Sequence, residues 1–178
     1  MIERIESPAP AELEALTDLW ERSVRATHDF LAPKDIAFFR RMVREEALPG
    51  VEELHVIRDE KNGFAAFAGV EAGKLEMLFV APEKRGRGLG RELVEYLVAR
   101  RGVRRVDVNE QNAQAAGFYA RLGFRVTGRD ATDPSGRPYP ILHLSLGETP
   151  QRIVPIPNLQ TDRVDVDFEP EPTGDEGK

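Results

Sequence analysis

Residues 84–91, Lys84-Arg85-Gly86-Arg87-Gly88-Leu89-Gly90-Arg91, interleave basic side chains with glycines. That combination suits an anion. Glycine lets the backbone come close to a ligand and tolerates positive φ. The first amides of a helix lack intrahelical partners, and the helix dipole favours negative charge there. A phosphate group is the usual guest at such a position. The spacing narrows the choice of ligand. No Lys-Ser or Lys-Thr pair completes a G-x-x-x-x-G-K-[ST] phosphate loop. Glycines at 86, 88 and 90 also miss the G-x-G-x-x-G dinucleotide fingerprint. The pattern present is Arg85-x-x-Gly88-x-Gly90. Read alone, it is equally a glycine-rich solvated turn.

The flanking segments put this loop between a strand and a helix. The apolar run Leu75-Glu76-Met77-Leu78-Phe79-Val80 reads as a buried strand. Leu89, Leu93 and Leu97, with Val94 and Val98, form a helical stripe that Gly102 ends. Upstream, Ile2–Ile5 reads as a short strand. Leu13, Leu16, Leu19, Trp20 and Val24 line one helix, and Ile36, Phe39, Met42, Val43 and Leu48 a second that ends by Pro49-Gly50. Strands are expected at 54–59 and 64–70, joined by an Asn62-Gly63 hairpin turn. Downstream, a strand spans 104–109, and Asn112 caps a helix running to Gly123. The last strands are expected at 124–128 and 139–146.

The 178 residues are 40% hydrophobic and 31% charged, as in a soluble globular chain with one domain and some excess. No run approaches a membrane span, and Met1–Glu6 does not read as a signal peptide. The chain has no cysteine, so disulfides and a cysteine nucleophile are excluded; a cytoplasmic location fits. Three scattered histidines offer no metal spacing, so no metal is expected. The net charge of −6 is uneven. Residues 83–105 carry eight basic against three acidic residues, or +5, whereas 147–178 carry three against eight, or −5. This balance points to a small polyanion and away from nucleic acid. The acidic stretch, with five prolines, is expected to be a mobile extension beyond a 1–146 domain.

The element order β-α-α-β-β-β-α-β-α-β-β, the Arg85-x-x-Gly88-x-Gly90 loop, and Asn112 followed by Phe118-Tyr119-Ala120-Arg121-Leu122-Gly123-Phe124 together resemble the GNAT superfamily of N-acetyltransferases. Thr27-His28-Asp29-Phe30-Leu31 and Asn109-Glu110-Gln111-Asn112 resemble its YjaB-type bacterial members. The resemblance spans about residues 2–146. It implies an α/β (α+β) acyl-CoA N-acyltransferase fold. This is a mixed, mostly antiparallel sheet of six to seven strands, splayed between strands 4 and 5 and flanked by about four helices.

The resemblance also implies acetyl-CoA as cosubstrate and an amine of a small molecule or protein as acceptor, without membrane or nucleic acid. It leaves room for a homodimer. Leu78, Phe79 and Val80 would meet the pantetheine arm. Arg85, Gly86, Arg87, Gly88, Leu89, Gly90 and Arg91 would hold the pyrophosphate. Asn112 and Phe118 would close the other wall, while His28, Phe30 and Asn109 would lie on the acceptor side. Tyr119 would be the general acid, since a phenol of pKa ~10 is protonated at neutral pH; the alternative is an aromatic core pair with Phe118. Asp107 or Glu76 would be the base, and His28 is a third candidate; either carboxylate equally reads as solvent-facing. Without cysteine, direct attack in a ternary complex is expected. The competing readings are a nonenzymatic CoA-binding or regulatory module and a partner-binding protein acting through the acidic tail.

Overall fold

The structure is a computed structural model that describes residues 1–147. Apart from Gly147, the expected acidic extension lies outside the described residues. Seven strands form one sheet in the order β1-β2-β3-β4-β5-β7-β6. They are β1 (Ile2–Ile5), β2 (Glu53–Arg58), β3 (Phe64–Glu71), β4 (Lys74–Val80), β5 (Arg105–Asn109), β6 (Phe124–Asp130) and β7 (Ile141–Leu146). All neighbours pair antiparallel except β4 and β5. The mixed sheet expected from the sequence is therefore present with seven strands.

Helices cover both faces. On one, α1 (Pro10–Arg25) and α2 (Pro33–Met42) pack Leu16, Leu19, Trp20, Val24 and Ile36 onto Leu54, Val56, Phe67 and Met77. On the other, α4 (Leu89–Arg101) and α5 (Ala113–Arg121) pack Leu93, Val94, Leu97 and Tyr119 onto Ala66, Ala68, Leu75, Val106 and Leu144. The second expected helix is less regular than its periodicity suggests. After Met42 it widens to a π turn over Val43–Ala47 before the short α3 (Leu48–Gly50). Pro49 has no N–H for an i→i−4 bond, and the preceding Leu48 amide reaches Val43 O instead.

The site depends most on an irregularity in β4. Gly69 pairs with Met77 and Val70 with Leu75, so Glu76 is an extra residue bulged from the ladder. A Cβ at Gly69 would lie 2.6 Å from the Met77 methyl, so glycine makes room for the bulged strand. On the other side, β4 pairs with β5 only at Lys74–Arg105 and Leu75–Val106. Beyond the bulge the strands part.

Away from this split, Glu53 is buried under α4. It accepts from Arg101 Nε at 2.6 Å, from Arg101 Nη2, and is 2.8 Å from His55 Nε2, whose ring packs on Tyr96. Arg101 first, and His55 after it, hold the Glu53 carboxyl down at about 2 against burial. The folded pKa lies below the reference of 4.5. This pairing therefore stabilises the fold above that value, and the contribution is lost as pH falls towards about 2. Glu53→Gln should cost about 2–3 kcal/mol at pH 7. In urea unfolding, the gap between mutant and wild type should close over that acid window. A gap constant with pH would mean that the charge on Glu53 contributes nothing.

Candidate active site

Main-chain groups build one side of the parted strands. After a 3₁₀ turn at Pro82–Lys84 the chain enters Gly86 and Gly88 at φ 75° and 83°. These are left-handed conformations that glycine adopts at little cost. Gly88 is the N-cap of α4, and Glu92 N–H donates to its carbonyl at 2.9 Å. Among the described residues, the six amides from Gly86 to Arg91 have no hydrogen-bond acceptor. They make a cluster of donors at a helix start, with Arg85 beside it. Gln114 Oε1 accepts from Arg85 Nη2 at 2.7 Å and so bridges from α5 to the loop.

Two cavities occupy the split. The larger, of about 460 Å³, is lined by Leu78, Phe79 and Val80 of β4, by Arg85, Gly86, Gly88, Leu89, Gly90 and Arg91, and by Asn112, Phe118 and Tyr119 across from them. His28 completes it with Ser23, Thr27, Lys84, Gln114, Ala115 and Arg121. The smaller, of about 180 Å³, is lined by Glu76, Asp107 and Asn109 among others. His28, Leu78, Phe79, Asn112, Ala115 and Tyr119 belong to both and form the wall where they meet. Of the residues singled out from sequence, Arg87 and Phe30 line neither cavity. Phe30 sits behind His28, between its ring and that of Tyr139, with centroids 5.3 and 6.1 Å away.

The polar groups at the shared wall form a directional chain. Thr27 Oγ1 donates to Ser23 O at 2.8 Å, the helical back-bond common for threonine. Its single proton is thus committed. The 2.7 Å contact between Thr27 Oγ1 and His28 Nδ1 therefore requires that Nδ1 carry the hydrogen. The lone pair of His28 is then on Nε2, 3.3 Å from Asn112 Nδ2, which donates to it. Asn112 is itself oriented because its Oδ1 accepts from Ala115 N–H at 3.0 Å, capping α5. Burial pushes the His28 imidazole below the ordinary histidine value, and the Arg85 charge adds to this. The ring is neutral at neutral pH. Burial raises the Tyr119 phenol well above its usual value, so it too is neutral and holds its proton.

The carboxylates of the smaller cavity are paired. Asp107 contacts Lys74 Nζ at 2.8 Å and His143 Nδ1 at 2.7 Å, and His143 Nε2 reaches Asp130 at 3.0 Å. Lys74 also reaches Glu76 at 3.1 Å. Burial opposes the Asp107 charge but is outweighed by Lys74 and His143, which keep its pKa low. Asp107 is therefore a weak proton acceptor. The loop, Asn112 and Tyr119, singled out from sequence, line the larger cavity; Ser23, Thr27 and Gln114 line it too without having been given a role, and Lys74 and His143 hold Asp107. Thr27 at a helix end carried a faint signal, its habitual back-bond. The other contacts join residues far apart in sequence and leave no local trace. Among the described residues no group of histidine, aspartate or glutamate side chains has metal-binding geometry, and no helix is long and apolar enough to cross a membrane.

Residues 51–126 match the family model described as "Acetyltransferase (GNAT) domain". The peptidyl-lysine N-acetyltransferases YjaB of Salmonella typhimurium and Escherichia coli are each 41% identical over 75% of this chain and 90% of their own. The solution structure of apo YjaB from Escherichia coli superposes with a TM-score of 0.72 at 39% identity, covering 82% of this chain and 97% of that one. The PaiA N-acetyltransferase from Thermoplasma acidophilum, solved with coenzyme A, shares the fold at 20% identity, with a TM-score of 0.58 over 83% of this chain and 99% of its own.

The chain of bonds makes His28 sensitive to residue 112. Asn112→Asp keeps the helix cap but faces Nε2 with an anion, which favours imidazolium. Nuclear magnetic resonance titration should show His28 moving from below 6.5 to above the wild-type value, with little change in stability. An unmoved His28 would show that Nε2 does not face residue 112.

Proposed function

Because this chain belongs to the GNAT acetyltransferase family, we propose that it transfers the acetyl group of acetyl-CoA to the side-chain amine of a lysine in a peptide or protein, by direct attack in a ternary complex. The carrying observation is the pair of cavities that meet at one wall containing Tyr119 and His28. One offers phosphate-binding amides and the other carboxylates, so two unlike ligands can meet end to end. The lysine acceptor rests on the YjaB relatives' assigned activity.

In this reading the amides from Gly86 to Arg91, with Arg85, hold the pyrophosphate. The unpaired edge of β4 at Leu78–Val80 hydrogen-bonds the pantetheine arm as an added strand would. An amide near Leu78–Phe79 stabilises the developing oxyanion. Glu76 and Asp107 attract the cationic acceptor, and Asn109 lines its path. Tyr119 keeps its proton until the thiolate departs and then donates it. No cysteine is present to carry an acyl group, which favours direct attack.

The direct test is incubation with acetyl-CoA and a lysine peptide blocked at its N-terminus, following thiol release and the acetylated residue by mass. Absence of turnover across lysine peptides would sink the reading. Acetyl-CoA should raise the melting temperature of the wild type and leave Gly88→Glu unmoved, because the new side chain brings strain and negative charge to the amide cluster. Equal shifts would remove the pyrophosphate assignment. Tyr119→Phe should bind acetyl-CoA normally while kcat falls roughly 10²–10⁴-fold. An unchanged kcat would reduce Tyr119 to packing.

A further inference from the structure

The transfer needs a group to take a proton from the attacking nitrogen. We propose that His28 is that group, and that Thr27 is the positioning residue that fixes its tautomer. This rests on the acetyl-transfer reading above. His28 touches both cavities at the wall it shares with Tyr119, where nitrogen and thioester carbon would meet. Thr27 holds the hydrogen on Nδ1, so the basic lone pair is on Nε2. The 3.3 Å contact from Asn112 Nδ2 is long for a hydrogen bond and yields readily to a better donor.

The carboxylates are less suited. Lys74 and His143 already occupy Asp107, and Lys74 occupies Glu76. The charged and titratable groups around His28 are Arg85 on the loop, its neighbour Asp29, Tyr119 on α5, and Glu76 and Asp107 across the smaller cavity. Burial, then Arg85, keeps the imidazole neutral at neutral pH, ready to accept a proton.

The neutral amine attacks the thioester carbon, forming the C–N bond and placing negative charge on oxygen. The nitrogen, now positive, is far more acidic than the free ammonium and gives one proton to His28 Nε2. Collapse of the adduct breaks the C–S bond, and the thiolate takes the Tyr119 proton. Solvent returns the proton from the imidazolium to the phenolate. The products are the amide and the free thiol.

The experiment is the pH dependence of kcat/KM for a lysine peptide at saturating acetyl-CoA. The acceptor amine, with pKa ~10.4, contributes a slope of about one in log kcat/KM across the accessible range. His28 adds a second increment below its own pKa, so the wild-type slope steepens towards about two on the acid side. His28→Gln should show a slope of about one throughout and lose roughly 10²–10⁴-fold in kcat, with its acetyl-CoA melting shift retained. Thr27→Val keeps the imidazole but frees its tautomer; kcat should fall with an altered acid limb, and Thr27→Ser should restore both. His143→Gln should keep the wild-type limb. Persistence of the steep limb in His28→Gln, or its loss in His143→Gln, would overturn the proposal, the latter in favour of Asp107 and His143. A wild type that acetylates no amine would sink the transferase reading itself.

Discussion

The parting of β4 from β5 is the constraint on which the rest depends. Buried backbone N–H and C=O groups need partners, and a sheet normally supplies them along the full length of each strand. Here the parallel ladder lasts two residue pairs and stops at the Glu76 bulge. Among the described residues, this edge of β4 is therefore a row of unmet donors and acceptors inside the fold rather than at its rim. α4, which follows β4, and α5, which follows β5, pack on the same sheet face.

Charge is distributed to match this split. The loop side carries Arg85 and amides that have no acceptor among the described residues. On the other side Lys74, Asp107, His143 and Asp130 form a chain of polar contacts across β4, β5, β7 and β6. These groups are partly exposed, and each such contact contributes little to stability. Their effect is to hold Asp107 in one orientation with its charge retained. Between the two sides, His28 and Tyr119 are neutral for the same reason, burial, and so keep opposite capacities: one can accept a proton and the other can give one.

The parts legible in the sequence are those that a few contiguous residues specify. Arg85-x-x-Gly88-x-Gly90 forms a loop entering a helix, and Asn112 caps α5, because positive φ and capping are local demands. The stripes of α1 and α4 face the core, as their periods require. What was not legible arises from pairing between distant segments. Nothing in Leu75–Val80 marks Glu76 as the bulged residue, because the extra position exists only relative to Gly69 and Val70. The β6 strand runs to Asp130, beyond the expected 128, with its ladder shifted between Val126 and Gly128. The last strand starts at Ile141 rather than Tyr139, whose hydroxyl turns to Asp35 at 2.5 Å. Likewise, the Thr27–His28–Asn112 chain joins residues 84 positions apart.

The two cavities differ in what a mutation can erase. Around the larger one the donors from Gly86 to Arg91 and the edge of β4 belong to the main chain. Side-chain replacement leaves a peptide N–H in place unless proline is installed or the left-handed turns at Gly86 and Gly88 are spoiled. Beyond the wall they share, the smaller cavity draws its polarity from the Glu76, Asp107 and Asn109 side chains, each of which one codon can rewrite. Drift therefore alters what the smaller cavity admits long before it touches the larger one, and a lineage built on this scaffold can change the first while inheriting the second intact.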